Sequence, residues 1–140
     1  MTAPAEESTN PAARMGFERE QVVQEIGYDD DVDSELREGV EAATGQALVD
    51  EDYDGFADAV LLWFRDGDGD LTDALLDATG RIDDSAPVWL LTPKNGHEGS
   101  IEPSDIDDAT KTAGLSTAKS IDLSSGWTTT RIWSRKGGKA

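Results

Sequence analysis

Two stretches of this chain consist of consecutive apolar residues, and each is followed by polar residues and then by a helical pattern. The first stretch runs from Ala59 to Phe64 and the second from Val88 to Leu91. Continuous apolar runs of this length are typical of strands that are buried on both faces of a parallel sheet. Pro93 lacks a backbone N–H and is predicted to end the strand that begins at Val88. These stretches are therefore predicted to be the central strands of a sheet.

Three helices are predicted from apolar residues spaced three or four positions apart. Gly45 and Gly80 stand where the first two helices should end, and Asp70 stands where it can cap the second. Ser104, followed three residues later by Asp107, predicts a capping box at the start of the third helix. The apolar positions of the three helices are Val32, Leu36, Val40 and Ala43, then Leu71, Leu75 and Ala78, then Ile106, Ala109 and Ala113.

The remaining apolar segments complete an α/β arrangement. Residues 21–28 predict a first strand, and residues 46–50 predict a short second one. Residues 116–123 and 128–133 alternate polar and apolar side chains, which is typical of an antiparallel hairpin. Strands that alternate with helices predict an open, mainly parallel Rossmann-like sheet with helices on both faces and a C-terminal antiparallel hairpin.

Composition limits the class of protein. The chain has 140 residues, a net charge of -18 and no cysteine, so one domain without disulfides is expected. The negative charge opposes binding to nucleic acid or to anionic membranes, and no apolar run is long enough to span a bilayer. The N-terminal residues lack the pattern of a signal peptide, so a cytoplasmic location is predicted. We expect disordered tails over 1–18 and 136–140 and a single domain over 19–135.

Several segments, taken in order, resemble the actinobacterial branch of the uncharacterised family called domain of unknown function 3052. The resemblance covers roughly residues 21–133, and the segments are VVQEIGYDDDVD, LVDEDYD, DAVLLWFRDGDGDL, VWLLTPKNG, IEPSDI, TAGL and WTTTR. The resemblance implies a reduced version of the Rossmann-like fold of class I methyltransferases. It further implies the strand order 2-1-3-4-6-5 with the last strand antiparallel. It implies no activity, because none is established for the family.

In an open α/β sheet, ligands bind beyond the carboxyl ends of the strands where the strand order reverses. For the order above, that point lies between the first and third strands. The candidate ligand-binding residues there and nearby are Gly27, Tyr28, Asp29, Asp50, Arg65, Asp66 and Lys94. Arg65 and Lys94 are candidates to bind an anion, or else they only neutralise neighbouring carboxylates.

The cofactor pattern of the methyltransferases is mostly missing. Those enzymes have a glycine-rich turn after the first strand, whereas here a single glycine, Gly27, is followed by a tyrosine and acids. Only Asp50 matches the acid that would bind a ribose. No cofactor is therefore predicted, and binding of S-adenosylmethionine or a nucleotide stays an alternative.

Other candidate sites are weaker. Asp66, Asp68, Asp70, Thr72 and Asp77 match positions of a calcium loop, but Leu71 stands where that loop requires glycine, so no metal is predicted. His97 has no second histidine or cysteine to share a transition metal, and as a base it would need Glu98 or Glu102 to orient it. Trp127 either is exposed and binds a partner or covers the edge of the sheet.

Three functions follow as hypotheses. The first is a non-catalytic cytoplasmic regulatory or binding protein with an unknown protein partner or small ligand, and it assigns no catalytic residue. The second is an enzyme of methyltransferase-like type that uses Asp29, Asp50 and Lys94. The third is an acidic partner that masks a basic protein surface.

Overall fold

A five-stranded mixed sheet forms the centre of the computed structural model, which describes residues 11–55, 57–82, 86–118, 120–121 and 126–134. The strands lie side by side in the order β1-β2-β3-β5-β4. β1, β2 and β3 are parallel, whereas β5 is antiparallel to both β3 and β4. The predicted α/β class is confirmed, whereas the predicted six-strand order 2-1-3-4-6-5 is not observed in full, because residues 46–50 do not form its second strand. The strands are β1 (Val23–Ile26), β2 (Ala59–Trp63), β3 (Val88–Pro93), β4 (Leu115–Thr117) and β5 (Trp127–Ser134).

Helices cover both faces of the sheet, as predicted. α1 (Ser34–Thr44) and a short 3₁₀ helix (Pro11–Met15) lie on one face, and α2 (Leu71–Thr79) and α3 (Pro103–Thr112) lie on the other. Asp33 and Asp70 cap α1 and α2, because their carboxylates accept backbone N–H groups that have no partner within the helix. None of the helices in the described ranges is long and apolar enough to cross a membrane.

Every residue of β2 is buried, which confirms the prediction for the longest apolar run. Ala59, Leu61 and Trp63 pack towards α1, while Val60 and Leu62 pack towards α2 and α3. Both faces are apolar because β2 has a parallel neighbour on each side and a helical layer above and below. β2 therefore holds the residues that follow it on a rigid base.

Three details of the prediction are wrong. Residues 46–50 do not form a strand: only Val49 bridges to Gln24, and the N–H of Leu48 bonds the Glu41 carboxylate instead of a neighbouring strand. The capping box is absent, because α3 begins at Pro103 and its N-cap residue, Glu102, makes no side-chain cap bond. The first hairpin strand ends at Thr117, after which Ile121 bridges to Thr129, and residues 122–123 lie outside the described residues.

The folded part also begins earlier than residue 19. Ala12 and Met15 are buried beside α1, and Phe17 packs against Trp89. Both Ala12 and Met15 contribute to the core on that face of the sheet, so the predicted tail over 1–18 is too long. The predicted tail residues 1–10 and 136–140 lie outside the described residues.

Candidate ligand-binding site

The carboxyl ends of the three parallel strands and the start of the antiparallel strand β5 border an open cleft. Its volume is about 510 Å³, which is within the usual range for a small-molecule pocket. The loop after β2 contributes Arg65 and Asp66, and the loop after β3 contributes three residues. The full lining is Asp31, Arg65, Asp66, Pro93, His97, Glu98, Gly99, Gly126 and Trp127.

Arg65 crosses the gap between the ends of β1 and β2. Its Nε and Nη2 donate to the two carboxylate oxygens of Asp31 at 3.0 and 2.6 Å, so the pair is bidentate. Its Nη1 donates to the carbonyl of Gly27 at 2.8 Å and to the Asp68 carboxylate at 3.2 Å. The side chain is only 15% exposed. Most of its donors are therefore already bonded within the protein.

These contacts set the charges of the cleft wall. Hydrogen bonding to Arg65 lowers the pKa of Asp31, so its carboxylate stays ionised. Burial opposes the charged form of Arg65, but the hydrogen bonds to Asp31 and Asp68 outweigh it and raise the arginine pKa. The guanidinium is therefore a fixed positive charge with two carboxylates against it, which supports the interpretation of Arg65 as a neutralising residue.

Trp127 forms the floor of the cleft. It is only 5% exposed, so the expectation of an exposed tryptophan is wrong and the covering alternative is what the structure has. Its indole N–H donates to the carbonyl of Asp31 at 3.2 Å, and its ring meets Trp63 edge to face at 4.9 Å. The guanidinium of Arg65 lies over the same ring at 5.2 Å.

Gly27 occupies a position that only glycine fits. Its φ is +82°, and an added Cβ would overlap the carbonyl oxygen of Trp63. Its N–H donates to the Glu51 carboxylate at 2.9 Å, and its carbonyl accepts from Arg65. Both backbone polar groups of this residue are thus bonded to side chains of the same chain.

A second, smaller crevice lies between β1 and the segment that follows Val49. Its volume is about 230 Å³, and it is lined by Glu25, Tyr28, Arg37, Leu48, Val49, Asp50 and Glu51. Glu25 is only 6% exposed and accepts two hydrogen bonds from Arg37, at 2.6 and 2.8 Å, and one from the Trp63 indole at 2.8 Å. The exposed ring of Tyr28 lies over Arg37 at 4.7 Å. Hydrogen bonding to Glu25 raises the pKa of Arg37.

The structure divides the residues that were predicted to share one site. Arg65 and Asp66 line the cleft, and Tyr28 and Asp50 line the small crevice. Gly27 is bonded to one residue of each, Arg65 in the cleft and Glu51 in the crevice. Asp29 and Lys94 line neither of them. The exposed Asp29 carboxylate accepts the next backbone N–H, and the half-buried Lys94 donates its own N–H to Gly126.

The acids of the calcium-loop hypothesis do not converge. Asp68 pairs with Arg65, Asp70 caps α2, and Asp77 pairs with Arg81. Among the residues that the structure describes, no group of three or more acids, histidines or cysteines is arranged to hold a metal ion. Each of these three carboxylates thus has a structural role that the spacing alone does not reveal.

His97 lines the cleft and is exposed, as is Glu98. Within the described ranges the imidazole has no bonded carboxylate, and Glu102 lies at the start of α3 instead. A general base needs an orienting partner, and no described carboxylate is bonded to His97 to provide one.

Sequence reasoning missed the residues that close the small crevice, namely Glu25, Arg37 and Glu51. A signal for two of them exists in the sequence. Glu25 is a charged residue inside a strand that should be buried, and Arg37 is the one cation of α1. A buried acid needs a partner, so the pair was predictable. The bond from Gly27 to Glu51 has no such signal.

The chain matches a known family and several mycobacterial relatives. A family profile described as "Protein of unknown function (DUF3052)" matches residues 12–136. The chain is 43% identical over 128 residues to the uncharacterised protein Mb2263c of Mycobacterium bovis, covering 91% of this chain and 80% of that protein. The uncharacterised protein Rv2239c of Mycobacterium tuberculosis gives the same values of 43%, 91% and 80%. The predicted resemblance is confirmed over a slightly longer range.

Solved structures with the same fold are methyltransferase-like. The pyocyanin biosynthetic protein PhzM has a TM-score of 0.65 and 13% identity, over 95% of this chain and 56% of PhzM. The mitomycin 7-O-methyltransferase MmcR has a TM-score of 0.61 and 10% identity, over 93% of this chain and 54% of MmcR. The magnesium protoporphyrin IX methyltransferase ChlM of Synechocystis PCC 6803, solved with bound SAM, has a TM-score of 0.54 and 11% identity, over 95% and 78%.

The chain thus spans slightly more than half the length of PhzM and MmcR. At these identities the similarity shows the fold alone, a methyltransferase-like Rossmann arrangement.

Proposed function

This chain belongs to the DUF3052 family, and we propose that it is a non-catalytic binding protein that uses the open cleft on a methyltransferase-like fold. The observation that carries this proposal is the bonding of Gly27. In Rossmann-like folds the turn after the first strand offers its backbone to the cofactor. Here the N–H of Gly27 is bonded to Glu51 and its carbonyl to Arg65.

A cofactor at this edge would have to displace bonds that the protein makes with itself. The bonds from Gly27 to Glu51 and from Arg65 to Asp31 each involve a charged group, and such bonds are stronger than neutral ones. The crevice beside Asp50 is also small, at about 230 Å³, which is below the roughly 300 Å³ at which ligand pockets usually begin. Both observations oppose the binding of a nucleotide there.

The cleft shows no assembled nucleophile and base among its described residues. Its described lining contains no serine, threonine, cysteine or lysine, and no hydrogen bond joins His97 to Asp31, Asp66 or Glu98. His97 is its one imidazole, and no carboxylate orients it. We therefore assign a binding role to this cleft and no catalytic residue.

The competing function is a methyltransferase-like enzyme, and the fold of MmcR and ChlM favours it. Titration with S-adenosylmethionine separates the two functions. The proposal predicts an unchanged melting temperature at about 1 mM ligand, because no site takes the cofactor. A cofactor with a Kd near 10 μM would raise the melting temperature by about 8 °C at that concentration. A saturable increase of that kind would overturn the proposal.

ATP and adenosine, measured in the same way, are the control ligands. S-adenosylmethionine carries a sulfonium cation, and a chain with a net charge of -18 attracts cations without a specific site. Isothermal titration at about 0.15 M salt, where surface charges are largely screened, excludes that contribution. Binding that persists there would count for the enzyme.

A further inference from the structure

We propose that the open cleft binds a primary ammonium group on an unbranched apolar stem, as in a lysine side chain of a basic protein partner. This inference rests on the proposed binding function and names its ligand class. The cleft combines an apolar floor with carboxylates at its border, and these are the two features that such an amphipathic side chain requires.

The floor of the cleft offers a methylene stem a narrow apolar strip. Trp127 and Pro93 line the cleft but are mostly buried, and the guanidinium of Arg65 lies over the indole ring, so a stem would meet their exposed edges and the backbones of Gly99 and Gly126. A volume of about 510 Å³ is ample for one long side chain together with part of its main chain. Methylene groups that pack against these exposed edges are removed from water, which favours binding.

The charges at the cleft select a cation. Three carboxylates and one guanidinium line it, and the guanidinium of Arg65 is already paired with Asp31 and Asp68. The carboxylates of Asp66 and Glu98 are exposed and make no ion pair within the described residues. These two groups are therefore the ones available to an incoming ammonium.

An anionic ligand fits the same cleft poorly. It would need donors from Arg65, whose Nε, Nη1 and Nη2 all donate to groups of the chain. It would also approach Asp66 and Glu98, which repel it. The two acids thus decide the sign of the ligand charge.

The test is an NMR titration of the ¹⁵N-labelled full chain with the peptide acetyl-Ala-Lys-Lys-Ala-amide. We expect the largest shift changes at the amides of Gly99 and Gly126 and at the indole N–H of Trp127, with little change at Gly16 and Gly114, which do not line the cleft. The control peptide carries acetylated lysines, which keep the stem but remove the charge. A control peptide that binds equally well would overturn the proposal.

Two double variants decide whether the cleft acids are responsible. Asp66→Asn combined with Glu98→Gln should lower the affinity for the peptide by about fivefold, as expected for the loss of two solvent-accessible ion pairs. Glu38→Gln with Asp108→Asn removes the same charge from the helices, outside the cleft, and should change the affinity by less than about twofold. Equal losses in both variants would mean that only the general negative field binds the peptide, and would overturn the site.

A parallel titration with 1,4-diaminobutane distinguishes a lysine of a protein partner from a free small amine as the source of the ammonium group. The proposal predicts that the peptide binds more tightly, because its main chain adds contacts in the cleft. A diamine that binds while the peptide does not would overturn the protein partner. The outcome is separate from that of the cofactor test: a chain that binds neither ligand keeps the proposed function and loses this inference.

Discussion

Two arginine–carboxylate pairs lie at the carboxyl edge of the sheet, one in each crevice, and they differ in burial. In the small crevice Arg37 bonds Glu25, whose side chain is 6% exposed and also accepts the Trp63 indole N–H. In the open cleft Arg65 bonds Asp31, whose side chain is 54% exposed. The geometry of the two pairs is similar, since both are bidentate with distances of 2.6 to 3.0 Å.

The difference in exposure between Glu25 and Asp31 indicates which of the two crevices a ligand could enter. Glu25 has three donors and almost no access to water, so a ligand could reach it only by breaking the pair. Asp31 keeps half its surface in water, and its neighbours Asp66 and Glu98 are exposed as well. Breaking the pair in the small crevice should therefore be costly, whereas the proposed ligand of the cleft would meet exposed carboxylates without breaking a buried pair.

Gly27 lies between the two crevices, and its substitution should have the largest effect. In Gly27→Ala the Cβ would meet the carbonyl of Trp63, and the residue would also have to keep a positive φ. We expect a loss of about 3 kcal/mol or more in the free energy of unfolding, measured with urea, because backbone strain and a clash add together.

Gly16→Ala is the matched control for that substitution. Gly16 has a similar φ of +78°, and no atom lies near a Cβ added there. Gly16→Ala should lower the free energy of unfolding by about 1 kcal/mol, which is the contribution of backbone strain alone. If the two variants lose the same stability, the close approach of Gly27 to Trp63 does not constrain the sequence.

The buried pair should give the next largest effect. Glu25→Gln removes the charge that compensates Arg37, and the new amide group brings N–H donors towards other donors. Complete burial would make this loss about 3 to 5 kcal/mol. Because Arg37 is 26% exposed, we expect about 2 kcal/mol in urea unfolding. Glu38→Gln, on an exposed position of α1, should cost less than about 0.5 kcal/mol. Equal costs would contradict the structural role of the small crevice.

The sequence predicts those parts of the fold that depend on local patterns. The apolar run of β2 and the spacing in α1 and α2 are enough to place these elements, because burial on a sheet or a helix face follows the period of the chain. The strand predicted over residues 46–50 was wrong because local pattern does not decide its pairing. The segment is short, and the Glu41 carboxylate binds the N–H of Leu48, so that only Val49 bridges to β1.

The site is less predictable because its contacts join distant residues. Arg65 was identified as a cation at the end of a strand, but its partners Asp31 and Trp127 are set by the whole topology. Gly27 was identified as the single glycine of the turn after the first strand, whereas its close approach to Trp63 needs the register of β1 on β2. Trp127 had two interpretations, and only its bond to Asp31 and its contact with Trp63 distinguish them.

The exposed pair should give the smallest effect, and that effect should depend on pH. Asp31→Asn removes one partner of Arg65, and solvent screening limits the expected loss to about 0.5 kcal/mol at pH 7. Arg65 lowers the pKa of Asp31 in the folded protein. The stabilisation is therefore complete above the ordinary carboxyl pKa of about 4 and is lost as the pH falls through the lowered value. Urea unfolding of the variant and the native chain at pH 7, 5 and 3 should show a difference that shrinks in acid.

Asp30→Asn provides the reference for this small difference. Asp30 is exposed, and its carboxylate has no hydrogen bond or ion pair within the described part of the chain. Both substitutions remove one negative charge from a chain of net charge -18, so both relieve the same general repulsion. The stability of Asp31→Asn relative to Asp30→Asn thus isolates the bond to Arg65. A relative loss near 2 kcal/mol would place Asp31 with Glu25 as a structural acid, and the contrast between the two crevices would no longer hold.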